Sequence, residues 1–214
     1  MSVLVTAFEP FGGQDINPGW EAVKLLPERV AGVDMIKLLL PVIFGECALK
    51  AVDAIEKCRP SLVICVGQAG GRFGVTSERV AINLDEARIE DNAGNRPSGV
   101  PIVSGGPAAY FSTLPVRAMA REIRNRGIPA SVSNTAGTYV CNHLMYSVLH
   151  HLSINRPEIR GGFIHVPYTP AQAARLSLPA PCLCAGDIAA GIEAAVRAAI
   201  LYPVDIESFE GAEH

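Results

Sequence analysis

This chain of 214 residues has no run of basic side chains, no long apolar run and no cysteine spacing suited to a metal. Each absence removes a class of function. Lys and Arg number 18 against 21 Asp and Glu, giving a net charge of −3. Nucleic acid and anionic membranes select basic surfaces, so neither is an expected partner. No stretch approaches the ~20 apolar residues of a membrane span. The opening "MSVLVTAFEPFGG" lacks a basic n-region, and its apolar run is too short for a signal h-region, so a cytoplasmic location is expected. Six cysteines (Cys47, Cys58, Cys65, Cys141, Cys182, Cys184) are too few for a disulfide scaffold. None forms C-x-x-C, and no C-x-x-C…H-x-x-x-H pattern suggests zinc. Most are expected to be buried thiols. Also missing are a G-x-G-x-x-G turn, a GK[ST] P-loop, a G-x-S-x-G elbow and H-E-x-x-H.

What remains describes a globular enzyme-sized chain. Hydrophobic residues make up 49% and charged residues 18%, enough apolar surface for a core and too little charge for disorder. The length fits one large domain. There is no internal repeat, low-complexity tract or linker.

Strand and helix signals alternate along the chain. "SVLVTAF" (2–8) reads as a strand. "NPGWEAVKLL" follows as a helix, with Asn17 as N-cap, Pro18 at the first helical position and Pro27 as the stop. "DMIKLLLPV" is a second strand, and 46–58 a helix with Ala48, Ala51, Val52 and Ile55 on one face. "SLVICVG" (61–67) is apolar throughout, as a central strand buried on both faces should be. Further on, "VRAMAREIRNRG", "CNHLMYSVLHHL", "TPAQAARL" and "DIAAGIEAAVRAAILY" read as helices, and "PASVS" and "GFIHVPY" as strands. Such alternation predicts an α/β fold with a mostly parallel sheet between helices. One region, 79–115, breaks the pattern. It opens with a strand-like "RVAINL" and reads as an ordered excursion beside the sheet.

The glycines of "GQAGGRFG" (67–74) require tight turns at the end of a central strand, where α/β sheets bind ligands. Among the cysteines, Cys141 has a distinctive setting. It follows the turn "NTAGT" and opens a helix, where the dipole favours a thiolate. A thiol nucleophile needs a base. His143 lies two residues along the same helix, so it points elsewhere. His150 and His151 lie near the far end of that helix, and His214 is the last residue. His165 ends an apolar strand just before Pro167, well placed to meet Cys141. A carboxylate should orient that imidazole. Glu78 follows the glycine-rich loop, and Glu9 sits in another strand-end turn; spacing alone does not separate them. Read singly, Phe8 and Phe11 are core aromatics.

In order along nearly the whole chain, "TAFEPFGG", "NPGWEAV", "GQAGGRFGVTSERVAIN", "ARIEDNAGNRP", "SNTAGTYVCNH" and "GFIHVPY" closely resemble pyroglutamyl peptidase I (pyrrolidone carboxyl peptidase), a cysteine peptidase family. The resemblance implies a single domain over 1–214, a three-layer α/β/α sandwich with a mixed, mostly parallel sheet, and commonly a homotetramer. It implies a Glu–Cys–His triad at Glu78, Cys141 and His165, favouring Glu78 over Glu9. Lactam recognition is implied at Phe8, Phe11, Gln68, Ile89, Tyr139 and Val140, with Arg88 near the active site. The implied substrates are peptides or proteins bearing N-terminal pyroglutamate, cleaved without metal or organic cofactor. Two positions depart from the pattern. Ala7 stands where many members have glycine, and Val42 falls at a pocket-wall position that is often polar. Cys182 and Cys184 have no typical counterpart. Rival readings are a phosphorylase-like nucleoside-processing enzyme using "GQAGGRFG" for phosphate, and a redox module built on the cysteines.

Overall fold

The computed structural model describes residues 1–211. In chain order the elements are β1 (Ser2–Phe8), α1 (Pro18–Leu25), β2 (Arg29–Val30), β3 (Val33–Leu40), α2 (Glu46–Cys58), β4 (Leu62–Gln68), β5 (Val75–Glu78), β6 (Val80–Ile82), β7 (Ala109–Phe111), α3 (Val116–Asn125), β8 (Ala130–Ser133), α4 (Val140–Asn155), β9 (Arg160–Val166), α5 (Pro170–Ala173) and α6 (Ala185–Leu201). Seven strands form one sheet in the order β2-β3-β1-β4-β9-β5-β8. Neighbours from β3 to β9 run parallel, β5 runs antiparallel to β9, and β8 runs parallel to β5. The sheet is therefore mixed and largely parallel.

Period-two alternation divides the strands between two cores. Val3, Val5, Ala7, Ile64, Val66, Ile164 and Val166 pack on the side holding α6, with Ile188, Ile192 and Val196. Leu4, Phe8, Val63, Cys65 and Phe163 pack on the side holding α2 and α4, with Ile55, Leu144 and Leu149. Helices on both faces make three layers. Five residues of β4, Leu62 to Val66, are at most 1% exposed, which is why that segment is apolar without alternation.

Local signals explain the helix starts. Asn17 caps α1 by accepting from the Gly19 N–H at 3.0 Å, with Pro18 just inside the helix. Thr169 and Gln172 form a reciprocal capping box around α5. That helix ends at Ala173, shorter than the "TPAQAARL" pattern suggests. The main departure concerns "VTSE". These four residues are β5, a fully buried strand of the large sheet, whereas the sequence pattern pointed only to "RVAINL". Within the excursion, β6 and β7 pair as an antiparallel ribbon, and Asp85 bridges Val100.

Candidate active site

The sheet register assembles the site. Gly67 of β4 lies beside His165 of β9, and Thr76 of β5 lies beside His165 from the other flank. Glu78 pairs with Phe163, two residues from His165, so Glu78 and His165 share one face of the sheet as diagonal neighbours. Their side chains meet, with His165 Nδ1 2.8 Å from Glu78 Oε1. The Nδ1–H donates to the carboxylate, which leaves Nε2 for the Cys141 side. Cys141 is the second residue of α4, partly exposed, and its sulfur lies over β4. A Cβ built on Gly67 would stand 2.8 Å from Cys141 Sγ and 2.8 Å from the Phe163 ring. A glycine is therefore required at 67 by close approach. The N–H groups of Val140, Cys141 and Asn142 open the helix and have no intrahelical acceptor.

Burial acts to lower the pKa of His165, but the facing Cys141 and the Glu78 carboxylate outweigh it and raise the imidazole to about 9. The neighbouring thiols behave differently. Burial pushes Cys65 up to about 12 and Cys47 up as well, so both are held as inert thiols. Glu78 is fully buried. Its Oε1 also lies 3.3 Å from Arg72 Nη2 and 3.4 Å from Thr76 Oγ1, while Oε2 is unpartnered among the described residues.

Sequence reasoning missed Arg72. Its Nη2 also donates to Thr135 O at 3.0 Å, tying the glycine loop to the turn that leads into α4. The one visible signal was a lone charge among glycines. Gly70 in the same loop permits another close approach, since a Cβ there would fall 2.2 Å from the Tyr168 ring.

A cavity of about 460 Å³ opens over the thiol and imidazole. Phe8, Phe11, Gln68, Arg88, Tyr139 and Val140 line it with Cys141 and His165, and so do Asn17, Val42 and Arg72. Ile89 does not. A bend at Arg88–Ile89 brings Arg88 to the cavity and leaves Ile89 38% exposed outside it. Val42 presents an apolar wall, 3% exposed. Ala7 belongs to the opposite core, away from the site. Tyr139 packs edge-on to Phe44 with ring centroids 5.4 Å apart, and its hydroxyl donates to Glu90 O at 3.0 Å.

The competing residues have other duties. Glu9 Oε1 accepts from Asn92 Nδ2 at 3.0 Å and from the Val42 N–H at 3.3 Å, bracing two loops. His143 is locked between Asp85 Oδ2 at 2.8 Å and the Gly45 N–H at 3.0 Å. His150 bonds Tyr110 and His151 bonds Glu56. His214 lies outside the described residues. Cys58, Cys182 and Cys184 are exposed, so of the six cysteines only Cys47 and Cys65 are buried, against the expectation that most would be: Cys58 ends α2 at the surface, and Cys182 and Cys184 lie in the segment before α6. Among the described residues no group of three or more His, Cys, Asp or Glu side chains is placed to hold a metal. No described helix is long and apolar enough to cross a membrane.

A thiol, an imidazole and a buried carboxylate in series, at the strand ends of an α/β/α sandwich, define a cysteine hydrolase. The profile of the pyroglutamyl peptidase family matches residues 1–202. A pyrrolidone-carboxylate peptidase of Clostridium perfringens is 53% identical over 213 residues, 99% of each chain. One of Escherichia fergusonii is 50% identical over 214 residues, covering 100% of this chain and 99% of its own. The crystal structure of pyroglutamyl peptidase I from Bacillus amyloliquefaciens superposes with a TM-score of 0.94 at 48% identity, covering 97% of this chain and 98% of the other. The pyrrolidone carboxyl peptidase of Thermococcus litoralis gives a TM-score of 0.91 at 36% identity, over 97% and 99%. The chain belongs to the pyroglutamyl peptidase family.

Proposed function

We propose that this cysteine exopeptidase removes N-terminal pyroglutamyl residues with Cys141 as nucleophile, His165 as base and acid, and Glu78 as the group that orients the imidazole. Family membership carries the reaction class, and the 2.8 Å contact between His165 and Glu78 beside the Cys141 sulfur supports the roles. Cys141 attacks the carbonyl joining pyroglutamate to the next residue. His165 takes the thiol proton and returns it to the leaving amine. Water, deprotonated by the same imidazole, then hydrolyses the thioester. The tetrahedral oxyanion is met by the Cys141 N–H at the start of α4, with the Arg88 guanidinium as a further candidate. Loss of one such donor costs about 3–4 kcal/mol.

The lactam is uncharged, so its methylenes suit Phe8, Phe11, Val42, Tyr139 and Val140, and Gln68 serves its polar edge. An ordinary N-terminal ammonium would have to shed water in the same slot at a cost of several kcal/mol. The substrates are peptides or proteins with N-terminal pyroglutamate, handled by residues 1–214 as one catalytic domain. A cytoplasmic homotetramer is the assembly this reading carries with it, and sedimentation at micromolar concentration tests it.

Chromophore release from a pyroglutamyl amide, with and without an alkylating reagent, tests the reaction. Cys141→Ser is expected to keep the fold and lose turnover, while Cys65→Ser retains it. Near-normal rates in Cys141→Ser, or turnover that requires phosphate and survives alkylation, would overturn the assignment.

A further inference from the structure

Gln172 lies in α5, is 3% exposed, and its amide is oriented from both ends by backbone groups. Its Oε1 accepts from the Thr169 N–H at 3.0 Å and from Thr169 Oγ1 at 3.2 Å. A backbone N–H only donates, so that end of the amide is the oxygen. The opposite end, Nε2, faces Ile16 O and Gln14 Oε1, both at 3.4 Å, and Gln68 Oε1 at 3.2 Å. A backbone carbonyl only accepts, so this end is the NH₂. The amide of Gln172 therefore cannot flip without setting like against like at Thr169 and Ile16.

That constraint passes to Gln68, the last residue of β4 and part of the cavity wall. A carboxamide facing an N–H donor presents its oxygen. Gln68 Oε1 is thus held by Gln172, and its NH₂ makes no hydrogen bond among the described residues. We infer that Gln172 is a specificity-determining positioning residue, which fixes the Gln68 amide so that its NH₂ donates to the ring carbonyl of the pyroglutamyl group. The inference rests on the lactam-pocket reading above.

The lock matters because a free glutamine has two faces. Turned one way its NH₂ matches a lactam carbonyl. Turned the other way its oxygen would accept from a cationic ring nitrogen, as in a prolyl residue, or from an ordinary N-terminal ammonium. Holding the oxygen on Gln172 removes the second option. Discrimination then comes from an amide that cannot adapt, in addition to the desolvation of the cation.

Gln172→Glu tests this with little change in volume. The carboxylate still accepts from Thr169, but it turns an acceptor toward Gln68, which must answer with its NH₂ and show its oxygen to the cavity. KM for a pyroglutamyl amide is expected to rise roughly tenfold or more. The ratio of kcat/KM for pyroglutamyl over prolyl amides should narrow by a similar factor. The alkylation rate of Cys141, which reports the thiol and imidazole alone, should stay near wild type. On a Gln68→Ala background the same substitution should leave the ratio nearly unchanged, since the amide it reorients is gone. If Gln172→Glu does not fold, Gln172→Met releases the lock without a buried charge and carries the same cycle. An unchanged ratio in the single variant, or an equal effect with and without the Gln68 amide, overturns the inference. A wild-type ratio below tenfold would instead overturn the lactam pocket itself, and the inference with it.

Discussion

His165 shows how a buried residue can hold charge. Burial alone would keep the imidazole neutral, yet the Cys141 and Glu78 groups around it raise its pKa from 6.5 to about 9. A raised folded-state value means that protonated His165 contributes stability fully present below about 6.5 and lost as pH rises through about 9. In the proposed mechanism the same proton is the one the leaving amine needs. kcat/KM is therefore expected to fall as pH passes about 9. Glu78→Gln removes one of the charges that raises the value, so the fall should move to lower pH in a rate profile over roughly pH 6 to 10. An unmoved fall would mean that Glu78 does not act on His165 electrostatically. Gly67 sets a steric condition beside this electrostatic one. Gly67→Ala would place a methyl 2.8 Å from both Cys141 Sγ and the Phe163 ring, far inside contact distance. The sulfur must move. A 1 Å misplacement of a reacting group is worth on the order of 10²-fold, so kcat should drop by about that factor while a thermal melt changes modestly. A kcat within threefold of wild type would show that the thiol has room the geometry denies it.

At the scale of elements, what could be read in advance depended on whether the signal was local. Asn17 and Pro18 carry the α1 start within two residues, and "SLVICVG" carries a two-sided burial in its own composition. Cys141 at the opening of α4 and His165 near the end of β9 were legible for the same reason: a turn, a helix start and a strand end are written in neighbouring residues. β5 was not. Its Thr76, Ser77 and Glu78 are polar yet at most 4% exposed, and Thr76 and Glu78 face the site rather than a greasy core. A strand made to serve a site loses the apolar pattern that announces strands. Residue spacing left Glu9 and Glu78 level; the family resemblance favoured Glu78, and the physical reason, its register against His165, lies in the pairing of β5 with β9. Long-range braces were invisible for the simplest reason. Asn142, buried in α4, accepts from Ile82 N at 3.0 Å and donates to Ile82 O and Leu84 O at 2.9 and 3.0 Å, clamping the excursion beside Cys141. Arg72 with Thr135, and Gln172 with Gln68, span 63 and 104 residues, and no local period encodes them. Ile89 lies past a bend at Arg88–Ile89 that neighbouring residue types do not specify, so its position relative to the cavity was not legible either.

Over the whole molecule, the six cysteines report how the layers hold. Cys47 of α2 and Cys65 of β4 are both 0% exposed in the core between the sheet and the α2/α4 layer, directly beneath the site. Cys58, Cys182 and Cys184 are exposed, and Cys141 is intermediate. Reaching Cys65 requires lifting α4, which carries Cys141, from the strands that carry His165 and Glu78. Leu144, Val148 and Leu149 of α4 pack in the same buried cluster as Cys65. Labelling of Cys47 and Cys65 should therefore follow opening of the entire layer, with a steep urea dependence close to that of global unfolding. Cys141, Cys58, Cys182 and Cys184 should label without denaturant, and of these only Cys141 should cost activity. Alkylation followed by peptide mass analysis across a urea series separates the two groups. Labelling of Cys65 in native buffer at a rate near that of Cys58 would mean that the α4 layer opens on its own. The triad would then be held by local contacts such as Asn142 and Arg72 rather than by the core beneath it.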